Sequence, residues 1–128
     1  MGIEIRWHNA EKTILYQQIE GRWTIADFRD AVEKINTLLD SISHPVYRIS
    51  HIHGRLFVPR NITGTFRAAV ISHRPHERTH YIVGGGLMIN AVLSTMRLLD
   101  PAPERDFIQV ETLAAAEAQI QQQLEDTP

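Results

Sequence analysis

Residues 24–42 read TIADFRDAVEKINTLLDSI, and this stretch decides the fold. Ile25, Phe28, Val32, Ile35, Leu39 and Ile42 recur at steps of three and four, the spacing that lines one side of an α-helix with apolar side chains. Asp30, Glu33, Lys34 and Asp40 fall mainly off that stripe. Thr24 is a good N-cap, and Asp27 stands three residues on, a near match to the Glu or Gln of a capping box. Ser43-His44-Pro45 stops the helix, because the proline ring crowds a helical residue before it. The sequence thus predicts a helix from about Thr24 to Ser41.

On its N-terminal side, Ile3, Ile5 and Trp7 alternate with Glu4 and Arg6, the period of a half-buried strand. Asn9-Ala10-Glu11-Lys12 reads as a turn, a second strand follows from about Thr13 to Ile19, and Gly21 ends it. The two strands are expected to form an antiparallel hairpin. On the C-terminal side, Val46 to His53 reads as a third strand, unusually polar at Arg48, Ser50, His51 and His53. Gly54 to Pro59 connects it to a second helix, capped by Asn61 or Thr63 and running to about Ser72, with Ile62, Phe66, Ala69 and Val70 inward. His80 to Val83 is a fourth strand. Gly84-Gly85-Gly86 opens a third helix to Leu99, with an apolar stripe of Met88 or Ile89, Val92, Leu93, Met96 and Leu99. After Asp100-Pro101-Ala102-Pro103 come a short strand, Phe107 to Val110, and a last helix capped by Thr112 with Leu113, Ala116, Ile120 and Leu124 on one side.

The order is ββαβαβαβα. It implies an α/β protein with a single mixed sheet of about five strands, antiparallel at its opening hairpin and parallel later, covered by about four helices. The 128 residues fit one domain, with 126–128 a frayed tail. No Cys is present, which excludes disulfides, thiolate zinc sites and cysteine nucleophiles. No apolar run approaches the roughly 20 residues that span a bilayer. No signal peptide is read at the N-terminus, and a cytoplasmic location is expected.

Charge is unevenly spread. Residues 44–80 hold six Arg against one acid, Glu77, so that this segment is +5 while the remainder is −7, within a net charge of −2. Six of the seven His lie there too: His44, His51, His53, His73, His76 and His80. Such asymmetry fits an anionic partner, or acidic neighbours within the same domain. The segment is built from Arg rather than Lys and has no basic helix, so nucleic acid is not an expected partner.

The opening strand pair, the run Gly21-Arg22-Trp23-Thr24-Ile25-Ala26-Asp27-Phe28 leading into a long helix, the strand Tyr81-Ile82-Val83-Gly84, and Val110-Glu111-Thr112-Leu113-Ala114-Ala115-Ala116 resemble the STAS fold. That fold belongs to bacterial anti-sigma-factor antagonists and the broader STAS/CRAL-TRIO-like group. The resemblance covers most of the chain and implies a regulator rather than an enzyme. It also implies a phosphorylatable Ser before a Gly at the start of the helix after the third strand, with an acid two positions earlier. Here Asn61-Ile62-Thr63-Gly64-Thr65 stands at that place: Thr63 matches the phosphoacceptor, Asn61 replaces the acid, and Arg55 to Arg60 lengthens the approach. A phosphate on Thr63 would meet the open amides of a helix N-terminus; Thr63 equally suits a plain cap.

The expected partner surface is therefore Phe57, Arg60, Asn61, Ile62, Thr63, Gly64, Thr65 and Arg67, with a protein as partner. A second reading is a carrier of a small apolar or anionic ligand, with Leu87, Met88, Val92 and Met96 lining a pocket. Contacts to ligand or anion would come from His51, His53, Arg55, Arg74, His76, Arg78, Gly85 and Gly86. His51 and His53, two apart on a strand, share a face near the strand's C-terminal end, where His73, His76 and His80 could join them. Without Cys or a His-Glu-x-x-His helix, hydrogen-bonded or exposed imidazoles are expected and no metal. The glycine run is neither a dinucleotide fingerprint nor a P-loop, and no cofactor is expected. No Gly-x-Ser-x-Gly elbow is found. A general base at His51 or His53 would lack a nameable nucleophile or acid, so no catalytic residues are assigned. An apolar face on the third or last helix could support a homodimer.

Overall fold

The computed structural model describes residues 2–62, 64, 65, 68, 74–99 and 107–126. The strands are β1 (Gly2–Trp7), β2 (Ile14–Glu20), β3 (Val46–His53), β4 (Glu77–Val83) and β5 (Phe107–Val110). The helices are α1 (Ile25–Asp40), α2 (Gly86–Leu99) and α3 (Leu113–Asp126). The expected helix after residue 61 falls largely outside the described residues, though Gly64, Thr65 and Ala68 are helical. No helix among the described residues is long and apolar enough to cross a membrane.

Both ends of the opening hairpin turn are fixed by one side chain. Asn9 Oδ1 accepts from the amides of Thr13 (3.0 Å) and Ile14 (3.3 Å), and its Nδ2 donates to Thr13 Oγ1. β1 and β2 then pair antiparallel, from Gly2 opposite Glu20 to Trp7 opposite Leu15. At α1 the near match closes as a complete capping box. The Asp27 amide donates to Thr24 Oγ1 (3.0 Å), and Asp27 Oδ2 accepts from the Thr24 amide (2.9 Å). Aspartate thus does here what Glu does in the usual box.

The sheet runs β1-β2-β3-β4-β5, with parallel pairing from β2 onward. This is the mixed α/β sheet expected from the order of elements. Its pleat divides two cores. On one face Tyr16, Tyr47, Ile49, Tyr81, Val83 and Val110 pack against Ala116 and Ile120 of α3. On the other, Ile5, Leu15 and Val46 pack against Ala31, Ile35 and Leu39 of α1. On that second face, Ile52, Ile82 and Phe107 enclose Ile89 of α2 with Leu56. Ile89 therefore anchors that helix. Gly84 (φ +83) ends β4 where only glycine fits: a Cβ there would lie 2.7 Å from the Ile52 carbonyl oxygen.

Candidate functional site

The pleat of β3 sorts its polar residues into two separate groups. His51 and His53 face the α3 side, where Tyr16 of β2 reaches them. The buried Tyr16 phenol shares a hydrogen bond of 2.8 Å with His51 Nδ1, and His53 Nε2 lies 3.4 Å from the same oxygen. The two imidazole centroids are 4.0 Å apart. His8 stacks on the Tyr16 ring at 5.4 Å, and the Arg6 guanidinium lies 4.4 Å from its centroid. Burial, with the charge of His53 behind it, lowers the His51 pKa; burial raises that of Tyr16 against the opposing pull of Arg6. Both shifts favour the uncharged forms of His51 and Tyr16.

Arg48 and Ser50 face the other way, into a buried network. Gln17 Oε1 accepts from Arg48 Nη2 and from Ser50 Oγ, both at 3.1 Å. His80 Nε2 lies 2.6 Å from Ser50 Oγ. Arg48 Nη1 pairs with Glu77 at 3.4 Å, and Glu77 Oε2 accepts the Arg74 amide at 2.6 Å. Gln17, Ser50, Glu77 and His80 are only 4–6% exposed. The network ties β2, β3 and β4 together from within.

Among the described residues, His76 and His80 do not join His51 and His53. His80 is on the opposite face from His51, and His76 donates from Nε2 to the Leu39 carbonyl (2.9 Å) at the far end of α1. His73 lies outside the described residues, and among those described no three His, Cys, Asp or Glu side chains are placed to hold a metal ion. The eight expected ligand contacts separate in the same way. His51 and His53 lie at the C-terminal end of β3 and Arg55 just after it, while Gly85 and Gly86 follow the end of β4. Arg74, His76 and Arg78 sit at the opposite end of the sheet, where β4 begins. There Arg74 is held by Asp40 through bonds of 2.6 and 3.0 Å, and Arg78 donates to the Pro75 carbonyl. Two of the segment's six arginines, Arg48 and Arg74, are thus answered within the domain by Glu77 and Asp40. The pocket expected from Leu87 is not formed by that residue, which is 87% exposed; the side chains of Met88, Val92 and Met96 are outside the description.

Beyond β3 the chain turns at Gly54 (φ +70) and leads Arg55 and Phe57 to the rim. The Arg22 guanidinium, from the loop after β2, lies 4.4 Å from the Phe57 centroid, and that of Arg55 lies 5.4 Å away. Arg22, Arg55, Arg60 and Asn61 are exposed, and among the described residues no ion pair joins any of these three arginines. Asn61 takes a left-handed conformation (φ +60), which asparagine tolerates. Gly64 is exposed and Thr65 half-buried; Thr63 and Arg67 lie outside the described residues. Ile62 departs from its expected role. It is 7% exposed and packs against Trp23, with Ile3, Ile19, Ile25, Phe28 and Val58 around the pair. Its apolar surface is already used in the core and anchors the corner instead of meeting a partner.

Tyr16, Arg22 and Gln17 are the contributors that sequence reading missed. One signal was present for Gln17: it interrupts the alternating apolar set Leu15, Gln17, Ile19, the mark of a polar group facing inward. Compared with known proteins, the chain matches no family model, no curated protein and no solved structure.

Proposed function

We propose that the chain is a non-catalytic binding module of STAS-like type that receives an acidic segment of a partner protein on the rim formed by Arg22, Arg55, Phe57 and Arg60. The observation that carries this reading is the pair of guanidinium groups over the Phe57 ring, neither with an ion-pair partner among the described residues. Stacking on an aromatic face restrains an Arg side chain in advance, so less freedom is lost when a carboxylate docks. A carboxylate can then take two parallel N–H bonds from one guanidinium. The half-buried Phe57 adds an apolar anchor beside the charges. The STAS-like part of the reading draws support from the element order, an antiparallel opening pair followed by parallel strands joined through helices.

A phosphate on Thr63 would add negative charge close in sequence to Arg60 and compete with the acidic partner for the same cations. The test is quantitative capture of partners from a native lysate at low and high salt. The wild-type chain, the double variant Arg22→Ala/Arg55→Ala and Thr63→Glu are compared. A partner retained by the wild type, released by salt and lost in both variants supports the proposal. Absence of any retained partner, or retention indifferent to the substitutions, overturns it.

A further inference from the structure

The strand order leaves β1 at one border of the sheet, with no neighbour on its outer side among the described residues. The His8 amide donates to the Ile14 carbonyl, which makes residues 8 and 14 a hydrogen-bonded pair. Antiparallel alternation then turns the backbone N–H and C=O of Ile3, Ile5 and Trp7 away from β2, toward the free edge. Beside this edge runs a groove of about 480 Å³, lined by Ile3 to Arg6 and by Asp27, Asp30, Ala31 and Lys34 of α1. An open edge strand flanked by a helix is a template for adding another strand.

We propose that this edge joins two copies of the chain, their β1 strands antiparallel about a two-fold axis at Ile5, so that one sheet continues through both. Charge selects this occupant and this register. Glu4 and Arg6 are exposed on one face of β1, on either side of Ile5. Centring on Ile5 sets Glu4 of each copy opposite Arg6 of the other, in non-hydrogen-bonded pairs where side chains lie closest. It also matches Ile5 with Ile5 and Ile3 with Trp7, the residues whose backbone groups face outward. Shifting so that Ile3 meets Ile5 would oppose Glu4 to Glu4. Shifting so that Ile5 meets Trp7 would oppose Arg6 to Arg6. Like charges directly opposite one another disfavour both. The wall of the groove repeats the pattern, with Asp27 and Asp30 toward one end of an α1 stripe and Lys34 toward the other. Two antiparallel copies of that stripe set acid against base.

Sedimentation equilibrium of the full chain over a concentration series tests this, with circular dichroism to confirm folding. The wild type should be a dimer. Glu4→Arg, which places arginine opposite arginine twice, should weaken Kd at least about tenfold, and so should Arg6→Glu. The double variant should restore Kd to within about threefold of wild type. Hydrogen exchange of the wild type gives a reading free of substitutions: the amides of Ile3, Ile5 and Trp7 should gain protection as concentration rises. A chain that stays monomeric at every concentration overturns the proposal, including one that takes an extended peptide of another protein into the groove. A dimer indifferent to both single charge changes overturns it too, as do edge amides that exchange freely in the dimer.

Discussion

Replacing Arg48 by Met removes a guanidinium from the middle of the sheet and leaves a carboxylate behind. The Arg48 side chain is 12% exposed and that of Glu77 only 2%, so water cannot take over the lost role at Glu77. Breaking a buried ion pair from one side costs about 3–5 kcal/mol, chiefly because the remaining charge is stranded. The separation here is 3.4 Å, and Glu77 keeps the Arg74 amide at 2.6 Å, which places the expected loss near the lower bound. Gln17 Oε1 loses one donor and keeps Ser50, a minor addition. Arg48→Met should therefore destabilise by about 3 kcal/mol, or lower Tm by roughly 10 °C for a domain of this size. Urea unfolding followed by the fluorescence of Trp7 and Trp23 measures it. Adding Glu77→Gln removes the stranded charge, so Arg48→Met/Glu77→Gln should recover about 2 kcal/mol. A single variant costing under about 1 kcal/mol, or a double variant no more stable than the single, refutes a charge-dependent role for the pair.

Three further outcomes follow from other parts of the fold. Because His51 titrates below its ordinary 6.5 in the folded chain, the unfolded chain binds more protons in that window. Its contribution to stability is complete above pH 6.5 and is lost as pH falls through the lowered value, so His51→Gln should flatten the fall in stability between pH 7 and 5; an unchanged slope in urea melts counts against this. Leu39→Ala, at a site with 0% exposure between α1 and the sheet, should cost about 2–5 kcal/mol by calorimetry or urea unfolding, and a cost near zero would deny that packing. Thr24→Ala removes the hydroxyl acceptor of the Asp27 amide and should cost about 1 kcal/mol, against about zero if the cap were idle.

The elements that carry a strong period were legible from sequence, and those that depend on distant partners were not. The α1 stripe and the β1 alternation are local signals, and they reappear with few changes at their ends. β4 begins at Glu77, three residues ahead of the sequence reading, because Glu77 and Thr79 hide the strand among polar residues. The approach of Arg48, distant in sequence, and of the Arg74 amide, outside the strand, explains a buried glutamate there. The same holds for β3. Its four polar residues look like interruptions until the register with β2 and β4 assigns His51 and His53 to Tyr16, and Arg48 and Ser50 to the opposite face. At the rim, the charge bias of residues 44–80 pointed to Arg55 and Arg60. Arg22 lies in a different part of the chain, and only the folded loops bring it to Phe57.

The two borders of the sheet are unequal. β1 offers six residues, whereas β5 has only four, Phe107–Val110. If the β1 borders join about a two-fold axis, both long ones are used up together and the exposed margins of the pair are the short strands. An assembly made this way closes after one step, whereas head-to-tail contacts that fail to close build a filament. The outer margins are then four-residue strands, poor templates for adding a further strand.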